Sequence, residues 1–188
     1  MSNFDFRAFA RTTNTKPTER DLMHLVMFMR EEDRREILTF SEVEDNNGAL
    51  YDHLKEEVNI SDFTVTVYGP GTDSVVGIYG VWSSPENPSC GNIWMHTTTL
   101  LDSAQKFNFL RMGHHGVEEL RLKYNLLDCW ADSRNKLHCD WLRWQGFANR
   151  ANAEVNGVRF DHFVIGGIQP PDNWLMWRER EKRRKMNV

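Results

Sequence analysis

Leu126-Leu127-Asp128-Cys129-Trp130 is a short, mostly apolar run between two stretches with helical spacing, and it limits the fold more than any other feature. So few residues are too short for a helix and read as a buried parallel strand. A strand of that kind needs other strands beside it and helices packed over it.

Flanking segments supply such a sheet. Phe63-Thr64-Val65-Thr66-Val67-Tyr68 is rich in β-branched and aromatic residues, and Gly69-Pro70-Gly71 carries strong turn chemistry. Val75 to Trp82 is the second arm of that hairpin, where Gly77 and Gly80 predict a bulge or a close backbone approach. A loop containing Pro85 and Pro88 leads to a third strand, Ile93 to Thr99. Beyond Trp130, Ser133 to Asn135 opens a helix ending at Gly146, a residue suited to the left-handed cap. Ala148 to Val155 and Val158 to Ile165 flank Asn156-Gly157, the preferred two-residue hairpin turn.

The helices follow from apolar spacing. Asp102 or Ser103 caps a long helix to about Tyr124, with Phe107, Leu110, Val117, Leu120 and Tyr124 on one face and His114 filling the gap. Nearer the N-terminus, Phe4 and Phe6 alternate with polar neighbours as a short strand does. Thr18 is the N-cap of a helix whose apolar face is Leu22, Leu25, Val26 and Met29. Arg30 to Leu38 continues it as a charged helix with Ile37 and Leu38 inward. Asn46-Asn47-Gly48 breaks it, and Ala49 to Val58 forms another short helix. This order predicts an α/β (α+β) fold, a mixed central sheet with helices on both faces. Residues 1–168 are expected to form one domain. Residues 169–188, past Pro170-Pro171, form an aromatic and charged tail expected to be helical.

Composition excludes several function classes. Hydrophobic residues are 40% and charged residues 27% of 188, an ordinary globular balance. A net charge of −4 gives no footprint for nucleic acid, and the one strong basic run, Arg180 to Lys185, is interrupted by Glu181. No apolar stretch approaches the ~20 residues that span a bilayer. The N-terminus, with Asp5 and Arg7 among aromatics, lacks the layout of a secretion signal. Three cysteines, an odd and sparse count, suit a reducing compartment and neither a disulfide framework nor a zinc site.

The last helix carries a resemblance. Asn135-Lys-Leu-His-Cys-Asp-Trp-Leu-Arg-Trp-Gln-Gly146-Phe147 is similar to the Asn-to-Gly-Phe helix of the GNAT acetyltransferases, and the element order is similar too. Three further stretches resemble the GNAT-related small internal virion proteins of T-seven-like short-tailed phages. They are Met29-Arg30-Glu-Glu-Asp33-Arg-Arg-Glu36-Ile37, Ile93-Trp94-Met95-His96-Thr97-Thr98 leading into Leu110 to Tyr124, and Trp130-Ala131-Asp132-Ser133-Arg134-Asn135. The resemblance implies a virion component or assembly factor, in the virion or the infected-host cytoplasm, with phage structural or ejection proteins as partners.

It also implies where a GNAT cofactor would bind. The pyrophosphate of acetyl-CoA takes a helix N-terminus with bare, glycine-rich main chain before it. Counting back from Asn135 puts that loop at Ser103-Ala104-Gln105-Lys106-Phe107-Asn108, which contains no glycine. The family's acid tyrosine aligns with Leu142, which gives no proton. The candidate base is His96, with Asp102 as runner-up. Arg111-Met-Gly113-His-His-Gly116 resembles a phosphate loop, but a helix starting after it would be only two turns long. Gly113 and Gly116 are read instead as close-packing positions. The adjacent pairs His114-His115 and His138-Cys139 point too far apart on a helix to chelate one ion, so no metal is expected. Trp141 and Trp144 are expected in the core, while Trp174 and Trp177 either dock on the domain or anchor a partner.

The expected function is thus a phage virion-associated or assembly protein on a degenerate GNAT fold, acting through protein contacts and needing no cofactor. The alternative is an acetyl-CoA-dependent N-acetyltransferase modifying a phage or host protein. A third reading is a regulator that binds acyl-CoA without turnover.

Overall fold

The computed structural model describes residues 11–13, 15–102 and 106–167. In order, the elements are β1 (Arg11–Thr13), α1 (Glu19–Phe28), α2 (Glu31–Ser41), α3 (Asn47–Ile60), β2 (Phe63–Tyr68), β3 (Val75–Ser84) and β4 (Asn87–Thr97). A 3-10 turn (Thr99–Asp102) leads to α4 (Lys106–Arg121), β5 (Leu126–Asp132), α5 (Lys136–Trp144), β6 (Ala148–Val155) and β7 (Val158–Gly166). Phe4, Phe6, the Pro170-Pro171 stop, Trp174 and Trp177 lie outside the described residues.

The strands form one seven-stranded sheet, ordered β1-β2-β3-β4-β5-β7-β6. Only β4 and β5 run parallel; every other neighbouring pair is antiparallel. Helices α1–α3 cover one face, packing Leu25, Leu50 and Leu54 against Ile78 and Trp94. Helices α4 and α5 cover the other, packing Val117, Leu120 and Leu142 against Val81, Leu127 and Phe163. This is the expected mixed sheet with helices on both faces. No helix among the described residues is long and apolar enough to cross a membrane.

Local chemistry explains most boundaries. Thr18 caps α1 through a capping box with Asp21, and the predicted apolar face (Leu22, Leu25, Val26, Met29) is buried. Asn156 and Gly157 both take positive φ, 51° and 74°, as the tight turn between β6 and β7 demands. Gly80 has the close approach expected of it: a Cβ there would sit 2.7 Å from the Trp94 ring. Gly113 and Gly116 lie inside α4, against Trp141 and the Tyr79 hydroxyl respectively, so the phosphate-loop reading falls away as expected.

Four expectations need correction. The charged segment after Met29 does not continue α1. Met29 is extended at ψ 139°, it bridges Thr98, and the Arg30 N–H donates to Thr97 O at 3.0 Å, so the end of β4 captures the main chain and α2 starts afresh. The loop expected around Pro85 and Pro88 is a two-residue turn, with Asn87 already in β4 and paired to Ser84. Pro88 sits beside a register shift, where a missing N–H is tolerated. Trp141 is buried, but Trp144 is 57% exposed. His114 is exposed rather than filling the inner face of α4, and its Nδ1 pairs with the Gln145 amide at 2.9 Å.

Candidate functional site: the mouth of a splayed sheet

β4 and β5 are joined by only three residue pairs, Cys90–Leu126, Gly91–Leu127 and Asn92–Asp128. Beyond them the strands part, because β4 stays with β3 as far as Thr97 and β5 stays with β7 as far as Asp132. Thr97 turns its N–H and C=O into the opening, where Asp33 and the Arg30 N–H reach them. Ladder alternation turns the main chain of Ile93 and Met95 the same way. A cavity of about 80 Å³ lies on the α2–α3 face of the opening, and an apolar one of about 30 Å³ lies beneath α4. Both are lined by Ile93, Trp94, Met95 and His138, so these residues form the wall between them where the strands diverge.

Helix α2 crosses the mouth of this opening. Asp33, buried, accepts from the Thr97 N–H at 2.9 Å and from the Thr97 hydroxyl, both through Oδ2. Its Oδ1 accepts from Asn135 Nδ2 at 3.0 Å. Asn135 Nδ2 also donates to Glu36 Oε2 at 3.2 Å, while Asn135 Oδ1 caps α5 by accepting from the His138 N–H at 3.4 Å. One carboxylate from α2 therefore ties the end of β4 to the loop that leaves β5. The clasp spans the gap that strand pairing leaves open.

A second layer of charge lies beneath it. His96 Nε2 is 2.8 Å from Glu57 Oε2, and His53 Nε2 is 3.6 Å from Glu57 Oε1. His138 Nδ1 is 3.6 Å from Glu36 Oε2. Burial alone would lower the pKa of His96, but Glu57, then Asp33 and Glu36, outweigh it and hold the imidazole above its ordinary value. His138 is raised in the same way, burial being outweighed by Glu36 and Asp33. Burial would raise Glu57, yet His96 and His53 hold it well below the usual carboxylate range. His96 is thus within hydrogen-bond distance of its carboxylate, while His138 faces Glu36 at ion-pair distance.

The structure brings some of the sequence-derived site residues together and leaves others apart. His96 and Asn135 both lie at the mouth, on β4 and at the N-cap of α5. Asp102 ends the 3-10 turn, and Lys106, Phe107 and Asn108 form the first turn of α4. Ser103, Ala104 and Gln105 lie outside the described residues. Asp33, Glu36, Glu57 and His138 were missed. Asp33 and Glu36 share a helical stripe with Ile37 and Phe40, and that spacing was the available signal: acids on an apolar face are not solvated ones.

Other chemistry is weak here. Leu142, expected from the resemblance to stand where GNAT enzymes carry a tyrosine, is fully buried among Val117, Leu127 and Phe163. Burial, then Asp128, pushes the Cys90 thiol up to about 12, and burial, then Glu36, pushes Cys139 up to about 11, which removes both as nucleophiles. Among the described residues no group of three or more His, Cys, Asp or Glu has a metal-binding arrangement.

The parting of two parallel central strands within an otherwise antiparallel sheet is the architecture of the GNAT acetyltransferases, and solved structures bear this out. The chain is similar to the acetyltransferase (GNAT family) from Bacillus anthracis, at TM-score 0.61 and 9% identity over 84% of this chain and 98% of that one. It is similar to the ribosomal-protein-alanine N-acetyltransferase from Brucella melitensis, at TM-score 0.61 and 13% identity over 84% and 99%. The ribosomal-protein-S5-alanine acetyltransferase from Vibrio fischeri matches at TM-score 0.57 and 12% identity over 88% and 94%. No family model and no curated protein matches the sequence. The fold is GNAT-like.

Proposed function

We propose that this chain is a GNAT-fold protein that works by protein contact rather than acyl transfer, as a virion-associated or assembly protein of a short-tailed phage. The observation that carries the loss of transfer is the Asp33 clasp. A linear cofactor lying between β4 and β5 needs main-chain groups of β4, and Thr97 spends its N–H on Asp33 and its C=O on Arg30. With the Thr97 groups taken, a cofactor would have only the Ile93 and Met95 main chain of β4 to bind, and Leu142 adds no acid. Support for the phage setting comes from the three sequence stretches that resemble the internal virion proteins. Arg30, Asp33 and Glu36 come from the first, His96 and Thr97 from the second, and Asn135 from the third, and all meet in the clasp.

Titration calorimetry with acetyl-CoA tests the loss of the cofactor site, and no heat is expected at micromolar ligand. Peptide mass spectrometry of purified particles tests the setting, which falls if the protein is absent throughout assembly. The second reading, an N-acetyltransferase with His96 or Asp102 as base and acetyl-CoA on residues 103–108 and Asn135, is favoured by the two cavities that flank Met95 and His138 at the parting of the strands. Micromolar binding of acetyl-CoA would move the conclusion there.

A further inference from the structure

Charged side chains from four elements crowd the clasp and the layer beneath it. Helix α2 contributes Arg30, Asp33 and Glu36, α3 contributes His53 and Glu57, β4 contributes His96, and α5 contributes His138. The Cys129 thiol of β5, pushed far up by burial, stays neutral beside them. Asp33, His53, His96 and His138 are each less than a tenth exposed, so water does little to screen them.

We propose that the junction of α2 with the splayed strands is a pH-operated latch, closed in neutral and mildly acidic solution and opened by alkali, which frees α2 from the end of β4. With both imidazoles charged, the cluster holds Asp33, Glu36 and Glu57 against His96, His138 and Arg30. When the imidazoles lose their protons, the three carboxylates keep Arg30, 3.7 Å from Asp33, as a permanent cation, while Arg35 of α2 faces the buried Asp132 of β5 at 3.9 Å. The cheapest relief is for α2, which carries two of the three carboxylates, to swing out into water. Thr97 then loses the acceptor of its N–H.

The direction follows from linkage. His96 and His138 titrate above the ordinary 6.5, so their contribution is complete below pH 6.5 and is lost as pH rises through the folded values. Glu57 titrates below the ordinary 4.5, so its contribution is complete above pH 4.5 and is lost only far into acid. The latch is therefore labile to alkali, the reverse of a histidine switch that opens on protonation.

The test is hydrogen exchange by NMR on the full chain from pH 6 to 10, with the histidine ring carbons followed in the same samples. His96 and His138 should titrate above pH 6.5. After correction for the intrinsic rate, protection of the Thr97 amide should fall about tenfold per pH unit for each linked proton. The Phe163 amide, in the core on β7, should keep its protection. In Glu57→Gln the His96 midpoint should drop and Thr97 should lose protection at lower pH. If that variant fails to fold, Asp33→Asn must move both histidine midpoints down. Midpoints at or below 6.5, a Thr97 amide indifferent to the histidine titration, or loss at Thr97 matched by equal loss at Phe163 would each overturn the latch.

Discussion

Replacing Asp33 with alanine tests the clasp most directly. The substitution strips the Thr97 N–H and hydroxyl of their shared acceptor, removes one of two acceptors from Asn135 Nδ2, and deprives Arg30 of a carboxylate 3.7 Å away. The hydroxyl can rotate toward another acceptor and Asn135 keeps Glu36, so the main losses fall on a buried backbone N–H and on Arg30. An orphaned buried donor costs about 1–3 kcal/mol, and breaking one side of a buried ion pair costs about 3–5 kcal/mol. Because Arg30 also contacts Glu32, the lower part of the sum applies, about 4–5 kcal/mol. That is a large share of the ~5–15 kcal/mol that holds a typical domain together. Asp33→Asn, which keeps an acceptor toward Thr97, should lose only about half as much. Urea denaturation of the three proteins, with unchanged slopes, measures both values. A loss under about 1 kcal/mol in the alanine variant would show that the clasp ties nothing together.

Three further outcomes are expected. Trp141→Ala should cost about 3–5 kcal/mol in thermal unfolding and Trp144→Ala no more than about 0.5, because only the first ring is buried. Introducing a tyrosine with Leu142→Tyr should destabilise by about 1–3 kcal/mol without creating acetyl transfer, since the position is fully buried; an assay with acetyl-CoA and amine acceptors checks the second half. Gly80→Ala should cost about 1–3 kcal/mol and shift Trp94 fluorescence, because the added methyl meets the indole at 2.7 Å.

Elements governed by local chemistry were legible in the sequence. The Asn156-Gly157 turn, the Thr18 cap and the β2 boundaries, Phe63–Tyr68, could be read from neighbouring residues alone. The break between α1 and α2 was not, because its cause lies in the Thr97 carbonyl and Thr98, far along the chain. Trp144 shows the same limit: at three residues from Trp141 it shares a helical spacing, yet α5 is too short at Lys136–Trp144 for its last turn to be covered. For the site, the Asn135 cap and the position of His96 were readable. The carboxylates that define the clasp showed only through their shared stripe with Ile37 and Phe40, and their partners at a distant strand end could not be read.

The three-pair seam between β4 and β5 has a consequence for how the molecule is assembled. Among the described residues, strands β1 to β4 find their ladder partners within residues 11–97, and β5 to β7 find theirs within 126–166, apart from that seam. During synthesis the first half can settle while the second is still in the ribosome. Asp33 must then wait for an asparagine 102 residues behind it before the two halves are fastened.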